Sequence, residues 1–271
     1  MGDFEKKYYE SDEFWRQGML ADPANSMRME ATLNMIPEEV SSLADIGCGN
    51  GVFGKLVSER RNKITIMSVD RSERALEYVK TQKKTGDVLD IPLDNNSFDC
   101  VSCLQVLEHI PDNTYAKAIS ELARVSKKYV LISVPYNEKV ENNFTQCPKC
   151  KTIFNSDLHL RSYTDKDIQG LFSAHGFECV QSENLVKGEK LAGIDFYHRI
   201  KRSFENQAAS FNSPICPLCG YENEGFSLLP EGSATVQPPV AQNGGVKGLI
   251  KKFWPKTMVP GYWIIALYIK K

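Results

Sequence analysis

Apolar runs of strand length alternate with amphipathic stretches of helical length along most of the chain, starting near residue 42. This alternation is typical of a doubly wound α/β sheet, in which helices connect parallel strands. The clearest helix is predicted over residues 113–126, where Ile119, Leu122 and Val125 share one face and are assigned to the core. Strands are predicted at residues 42–46, 64–69, 83–87, 98–104, 129–134, 178–186 and 262–269.

Shifts in composition predict three parts. Residues 1–41 are charged and aromatic, and we expect them to form a helical lid over the sheet. Residues 42–187 and 262–271 are predicted to form the core. Residues 138–163, which lie within the core range, and residues 188–261 are predicted to form an inserted cap, since the second stretch is far longer than a hairpin loop needs.

The overall composition narrows the class of protein. The chain has 271 residues, a formal net charge of −1 and 42% hydrophobic residues, which is ordinary for a globular enzyme and gives no global attraction to nucleic acid or membranes. We expect a cytoplasmic protein, because no apolar run approaches the roughly 18 residues of a membrane span. In that setting the eight cysteines are predicted to be thiols or metal ligands rather than disulfides.

A glycine-rich turn follows the first predicted strand. The stretch LADIGCGNGVFGKLV, residues 43–57, places Asp45 at the strand end and glycines at positions 47, 49 and 51. Such glycines allow a sharp turn and bring backbone N–H groups close to a ligand. Asp70 closes the next apolar run, where its carboxylate can accept hydrogen bonds from two ribose hydroxyls. The glycines at 49, 51 and 54 also fit the dinucleotide pattern GxGxxG, so two nucleotide cofactors remain open at this point.

Four motifs in order resemble the class I S-adenosylmethionine-dependent methyltransferases, close in pattern to the ubiquinone-biosynthesis type of small-molecule methyltransferase. They are Asp45 two residues before GxGxG, where the dinucleotide fold has an apolar residue, Asp70 at the second strand end, GDVLDIPLDNNSFD at 86–99 and CLQVLEHIPD at 103–112. The resemblance covers residues 44–177 closely and the final strand loosely. It implies a seven-stranded, mostly parallel sheet whose last strand is antiparallel.

The resemblance also implies S-adenosylmethionine as the cofactor and a role for each matching residue. Gly47 and Gly49 pass under the methionine portion, Asp45 orders the loop and the amino group, and Asp70 holds the ribose. Asp87 and the Val88 backbone reach the adenine, Arg71 packs on the adenine face and Leu104 lies near the sulfonium. In similar enzymes the N-terminal region is a lid, and Arg28 is a candidate for binding the methionine carboxylate. Asp87 as a turn-capping residue and Arg28 as part of an ordinary amphipathic helix remain alternatives.

Two CPxC motifs carry a second signal. Cys147 and Cys150 form one pair and Cys216 and Cys219 the other, and each turn presents two thiolates to a tetrahedral ion. Both pairs follow strands that end at the carboxyl edge of the predicted sheet, where ligands bind. We therefore predict one structural Cys₄ zinc site in a cap above the site of methyl transfer. A redox dithiol and unligated thiols are the alternatives.

Few side chains are candidates for chemistry, because methyl transfer mainly needs alignment and exclusion of water. His109 follows the fourth strand and is the candidate base for a hydroxyl nucleophile; alternatively, His109 and Glu108 pack the start of the next helix. A metal is a third alternative, since the small-RNA 2′-O-methyltransferases of the Hen type have a similar Glu-x-x-Glu-His motif, here with Gln105 in the first position. His159 is either a pocket residue or a satisfied structural histidine.

The leading functional hypothesis is methyl transfer to a small-molecule acceptor, at the oxygen of a metabolite, sugar or lipid-linked glycan. An RNA methyltransferase with a zinc cap is the second hypothesis, because basic and aromatic residues interleave between residues 196 and 256. A non-catalytic scaffold that binds S-adenosylmethionine is the third. Residues 246–254, VKGLIKKFW, are a candidate for peripheral membrane contact through a basic amphipathic helix.

Overall fold

The structure is a computed structural model of the 271-residue chain. It describes residues 9, 15, 23–185, 188–191, 215–221, 225–228, 256–259 and 262–271. The chain divides into two compact units. Unit 1 comprises residues 1–138, 158–186 and 261–271, and unit 2 comprises residues 139–157 and 187–260.

Unit 1 is built on one seven-stranded sheet, and its strands lie close to the predicted ranges. They are β1 (Ser42–Ile46), β2 (Thr65–Asp70), β3 (Gln82–Thr85), β4 (Phe98–Leu104), β5 (Ser126–Pro135), β8 (Phe177–Leu185) and β12 (Trp263–Lys270). The order across the sheet is β3-β2-β1-β4-β5-β12-β8. β12 runs antiparallel to both β5 and β8, whereas the pairs from β3 to β5 are parallel. The predicted fold class, with an antiparallel last strand, is confirmed.

From residue 23 onward, the α-helices that the structure describes in unit 1 are α1 (Pro23–Asn34), α2 (Val52–Arg60), α3 (Glu73–Leu76), α4 (Asp112–Val125) and α5 (Asp165–Gly170). α4 corresponds to the predicted helix, and its side chains Ile119, Leu122 and Val125 are buried. The strands carry the core: β5 is buried continuously from Tyr129 to Pro135. Such an unbroken buried run is expected of a strand covered on both faces.

Unit 2 contains short antiparallel strands. β6 (Phe144–Gln146) pairs with β7 (Ile153–Asn155) and with β10 (Ser227–Leu228). β9 (Gly188–Leu191) pairs with β11 (Lys256–Val259). Residues 246–254 and most of the basic and aromatic stretch between residues 196 and 256 lie outside the described residues, and the predictions made for them stay predictions.

The described part of the chain contains no helix with the length and apolar character needed to cross a membrane.

Candidate active site and four-cysteine centre

The glycine-rich turn leaves β1 directly and continues into α2. Gly47, Gly49 and Gly51 have φ values of +71°, +54° and +77°, a left-handed region that side chains rarely adopt. A Cβ on Gly47 would lie 2.4 Å from Cγ2 of Val106, and a Cβ on Gly49 would lie 2.7 Å from Cζ3 of Trp15. Glycine is therefore required at both positions, for the backbone conformation and for the space.

A substitution pair separates these two requirements. Gly47→Ala is expected to lower the free energy of unfolding by about 3 kcal/mol, through left-handed strain and overpacking against Val106. Gly176→Ala is the matched control, because Gly176 has a similar φ of +78° and no atom within 4 Å of its added Cβ. It is expected to cost only the strain, about 1 kcal/mol. Chemical denaturation measures both; equal losses would show that Val106 yields to the added methyl group.

Asp70 ties this turn to the end of β2. One oxygen of its carboxylate accepts a hydrogen bond from Gly49 N at 2.7 Å, and the other accepts from Ser72 N at 2.9 Å. Burial raises the pKa of Asp70, against the lowering effect of these two hydrogen bonds. Each carboxylate oxygen has more than one lone pair, so Asp70 retains acceptor capacity for hydroxyl groups.

Asp45 lies at the carboxyl end of β1 and is 2% exposed. Its Oδ1 accepts a hydrogen bond of 2.7 Å from Ser102 Oγ on β4. Its Oδ2 is buried without a hydrogen-bond partner among the described residues. Burial raises the pKa of Asp45 to about 7, the Ser102 hydrogen bond opposes this, and the charge of Asp70 adds to it. A buried acceptor without a donor is costly, so Oδ2 is suited to a donor supplied by a ligand.

The remaining predicted contacts of the cofactor lie in unit 1. The Arg71 guanidinium lies over the Tyr9 ring, 5.5 Å from its centroid. The Asp87 carboxylate accepts a hydrogen bond from Leu89 N at 2.9 Å, which is the turn-capping contact considered as an alternative. Val88 is buried and Leu104, the last residue of β4, is half-buried. Their contacts with a cofactor stay predictions.

Arg28 is buried on α1, at 4% exposure. Its guanidinium lies 5.3 Å from the ring centroid of Trp263, and Nη2 donates to Oδ1 of Asn25 at 3.3 Å. Nε and Nη1 are buried without a hydrogen-bond partner in the part of the chain that the structure describes. Burial lowers the pKa of Arg28 to about 10, and the charge of Glu108 acts against this. A buried cation with two unused donors is suited to an anionic group.

A second polar cluster follows β4. Glu108 and His109 lie on a 3₁₀ turn, Leu107–His109, and His159 joins them from the segment before α5. One ligand atom of each residue lies within 4.8 Å of the others. Glu108 is fully buried, and neither of its oxygens has a hydrogen-bond partner among the described residues. Burial raises the pKa of Glu108 to about 7, and the charge of His159 opposes this.

Each histidine of this cluster is oriented through Nδ1. His109 Nδ1 donates to the Leu158 carbonyl at 3.2 Å, and His159 Nδ1 lies 2.6 Å from Oε2 of Glu138. The two imidazole rings are 5.0 Å apart in an edge-on arrangement. Loss of hydration of the imidazole ring in the protein lowers the pKa of His109 to about 3, and the charge of His159 acts in the same direction. His109 is therefore neutral near pH 7 and a weak base by itself.

Sequence reasoning missed Glu138 and Ser102, which orient His159 and Asp45. Glu138 is the third residue after the end of β5, in a Tyr-Asn-Glu sequence. Its position after the carboxyl end of a strand was the available signal.

The four-cysteine centre lies in unit 2. The four Sγ atoms of Cys147, Cys150, Cys216 and Cys219 all lie within 4.8 Å of one another. Cys147 Sγ is 3.7 Å from Cys219 Sγ, and Cys150 Sγ is 3.5 Å from Cys216 Sγ. These separations exceed the S–S bond of a disulfide, about 2.05 Å. They match the roughly 3.8 Å edge of a tetrahedron with Zn–S bonds of about 2.3 Å.

The two cysteine turns have the same backbone geometry. In the first, Lys151 N donates to the Cys147 carbonyl and Cys147 N to the Thr152 carbonyl; in the second, Gly220 N donates to the Cys216 carbonyl and Cys216 N to the Tyr221 carbonyl. The residue after the second cysteine is left-handed in both turns, with φ values of +63° at Lys151 and +64° at Gly220. Two matching turns that converge on one point fit a tetrahedral ion.

Comparison with known proteins identifies the domain. Residues 44–133 match the methyltransferase domain family. A protein of Mycolicibacterium smegmatis, described as a probable S-adenosylmethionine-dependent methyltransferase, is 27% identical over 159 residues, 57% of this chain and 58% of that protein. The ubiquinone biosynthesis O-methyltransferase of Neisseria meningitidis is 29% identical over 79 residues, 25% of this chain and 33% of that protein. Among the curated relatives, those that match over the longest stretches are covered by this chain for little more than half of their length.

Solved structures share the fold. One is a methyltransferase of Thermotoga maritima, described as a possible histamine N-methyltransferase. Its alignment with this chain covers 100% of each of the two chains, with a TM-score of 0.56 and 18% identity. A complex of the Trm112 methyltransferase activator of Haloferax volcanii with a methyltransferase covers 69% of this chain and 82% of that chain, with a TM-score of 0.54 and 17% identity. Together, these matches show that residues 44–133 match a methyltransferase domain family and that the chain shares its fold with solved methyltransferases.

Proposed function

We propose that the protein transfers a methyl group from S-adenosylmethionine to a hydroxyl oxygen of a small-molecule acceptor. The observation that carries the proposal is the buried Oδ2 of Asp45, which has no hydrogen-bond partner among the described residues and lies beside a glycine turn that Asp70 holds in place. The relative that is named for O-methylation in ubiquinone biosynthesis supports oxygen as the receiving atom. When bound, S-adenosylmethionine supplies an activated methyl group on a positively charged sulfur.

The residues of unit 1 fit this cofactor. Asp45 Oδ2 accepts a hydrogen bond from the methionine ammonium group, and the buried Arg28 guanidinium is suited to the methionine carboxylate. Asp70 accepts hydrogen bonds from the ribose hydroxyls. Gly47 and Gly49 allow close approach of the backbone, and Leu104 provides an apolar surface near the sulfonium. The adenine is assigned to Asp87 and Val88, with Arg71 stacked on its face.

The zinc proposal for unit 2 rests on the thiol geometry. Cys147, Cys150, Cys216 and Cys219 hold one structural zinc ion, because four thiolates leave no open coordination position for chemistry. A zinc-bound cap over the acceptor site stays a prediction, as does localisation in the cytoplasm.

The cofactor assignment predicts a specific loss at Asp70. Asp70→Asn keeps the shape of the side chain but replaces one acceptor oxygen by an NH₂ group, so either Gly49 N or Ser72 N loses its acceptor and the ribose loses a charged partner. We expect this variant to bind S-adenosylhomocysteine about 100-fold more weakly than wild type, a loss of about 2.7 kcal/mol in binding free energy. Isothermal titration calorimetry measures the affinity. Asp94→Asn, at an exposed turn, is the control and is expected to bind normally.

Transfer itself is tested with tritiated S-adenosylmethionine and a fractionated cell extract. The proposal expects label in the small-molecule fraction, with release of S-adenosylhomocysteine. Label in RNA would instead support the hypothesis of an RNA methyltransferase with a zinc cap. Cofactor binding without label in any fraction would favour a scaffold, and failure of wild-type protein to bind S-adenosylhomocysteine would contradict the cofactor assignment.

A further inference from the structure

We infer that Glu108, His109 and His159 form a binding site for a single divalent transition-metal ion, distinct from the four-cysteine centre. The three residues come from two separated segments of unit 1, and their ligand atoms converge within 4.8 Å. An ion with bonds of about 2.0–2.2 Å holds its ligand atoms roughly 3–4.4 Å apart. Shifts of less than about 1 Å therefore bring all three onto one ion.

Glu108 is the strongest indication that a positive ligand is missing. Its carboxyl group is fully buried, and both oxygens are without a hydrogen-bond partner among the described residues. An isolated buried carboxylate is expensive, and native proteins pair it or use it to coordinate a metal. The charges of His159 and, to a smaller extent, Arg28 favour its ionised form, but neither side chain donates a hydrogen bond to its oxygens within the described ranges.

The hydrogen bonds of the two histidines are compatible with metal binding through Nε2. Because a carbonyl oxygen can only accept, the contact with Leu158 puts the proton of His109 on Nδ1 and the lone pair on Nε2. The contact between His159 Nδ1 and the Glu138 carboxylate favours the same tautomer. Metal-binding histidines typically donate their second N–H to a carbonyl or carboxylate, which fixes the ring. Glu138, whose side chain is 4% exposed, is therefore a positioning residue behind His159.

The ligand set indicates the kind of ion. Two imidazoles and one carboxylate suit Zn²⁺, Fe²⁺ or Co²⁺ better than Mg²⁺ or Ca²⁺, which prefer oxygen ligands. Three protein ligands leave coordination positions open, as in catalytic rather than structural sites.

Glu108 follows Val106 by two residues, and the Val106 side chain packs against Gly47 of the glycine turn. A role in chemistry rests on the proposed function: a cation at this position lowers the pKa of an acceptor hydroxyl bound to it, so that the hydroxyl releases its proton to solvent and its oxygen is ready to receive the methyl group. The binding site itself does not depend on that role.

Cobalt(II) titration of the full chain, purified with zinc at the four-cysteine centre, tests the site. We expect one further equivalent of cobalt with visible ligand-field bands and without the intense thiolate-to-cobalt charge-transfer band. Glu108→Gln and His159→Gln are expected to abolish these bands, and Glu138→Gln to weaken cobalt binding about 10- to 100-fold. His175→Gln, at an exposed histidine of the same unit, is the control and is expected to match wild type.

S-adenosylhomocysteine binding is measured on the same samples. Its retention in Glu108→Gln shows that the domain is folded, so that loss of cobalt there is specific; if Glu108→Gln does not fold, the same comparison uses His159→Gln. Cobalt bands with no cofactor binding in wild type would support the metal site and contradict the proposed function. Cofactor binding without ligand-field bands, or bands that survive in both ligand variants, would overturn the metal site.

Discussion

Cys216→Ser is expected to release zinc from unit 2 and to abolish its protease resistance. Structural zinc contributes roughly 10–16 kcal/mol of apparent binding free energy to small metal-dependent folds. Among the unit 2 residues whose side chain burial the structure describes, Phe154 is under a tenth exposed, whereas Ile153 and Leu218 are more than half exposed. Small folds are commonly held by a crosslink or a metal in addition to their core.

Replacing one thiolate by a hydroxyl removes a zinc ligand and leaves the geometry of the other three. We expect the affinity for zinc to fall at least about 1,000-fold, a loss of about 4 kcal/mol in binding free energy. Competition with a chelator measures this affinity. Cys179→Ser is the control, because Cys179 lies in β8 of unit 1. It is expected to retain full zinc content by mass spectrometry and the wild-type digestion pattern. Chelation of wild-type protein is expected to reproduce the Cys216→Ser pattern.

An unchanged zinc content in Cys216→Ser would contradict the Cys₄ assignment. Unchanged protease resistance after complete loss of zinc would show instead that the strand pairs of β6, β7 and β10 hold unit 2 without metal.

Local patterns predicted most of unit 1, because their physical causes are local. Glycines at positive φ, an acid at a strand end and the apolar face of α4 act within a few residues, and each lies where the sequence placed it. The position of β12 between β5 and β8 is different. It is a long-range pairing across about 80 residues, and only the resemblance to a known fold predicted it.

The polar clusters show where sequence reasoning stops. His109 was a candidate base from its position after β4, but its surroundings depend on Leu158 and His159, about 50 residues away. The proton arrangement of His159 depends in turn on Glu138, a residue that no motif marks. Contacts between separate segments determine these charges, and a single sequence does not encode them as a readable spacing. The cysteine pairs were predicted across a similar distance because CPxC turns carry their own geometry.

The free energy of unfolding of the cofactor-free protein is expected to decrease with rising pH because of Asp45. The folded-state pKa of about 7 lies above the ordinary value of 3.8, so folding favours the protonated form. Below about pH 4 Asp45 is protonated in both states and carries no penalty. Between about pH 4 and pH 7 the unfolded state has released this proton while the folded state still holds it, so the protein loses up to about 4 kcal/mol of stability, and the loss is complete once the pH has risen through 7.

Asp45→Asn removes this titration and keeps the size of the side chain. The difference in free energy of unfolding, variant minus wild type, is therefore expected to become more positive between pH 4 and pH 8, as measured by urea denaturation without cofactor. Asp99→Asn is a control of opposite sign. Although partial burial acts to raise the pKa of Asp99, hydrogen bonds from Ser41 and Ser42 hold it at about 2. That variant is expected to be less stable than wild type at neutral pH, with the deficit vanishing as the pH falls through 2.

The same carboxyl group links pH to cofactor binding. If Asp45 Oδ2 accepts a hydrogen bond from the methionine ammonium group, binding requires the ionised form, and the affinity for S-adenosylhomocysteine should rise as the pH passes through 7. Asp45→Asn should bind more weakly and lose this dependence. A wild-type affinity that is flat from pH 6 to pH 8, together with a pH-dependent stability, would mean that Asp45 is buried and titrates but does not contact the cofactor. In that case Arg28 and Asp70 remain to hold the methionine and ribose portions, and the ammonium group must have another partner.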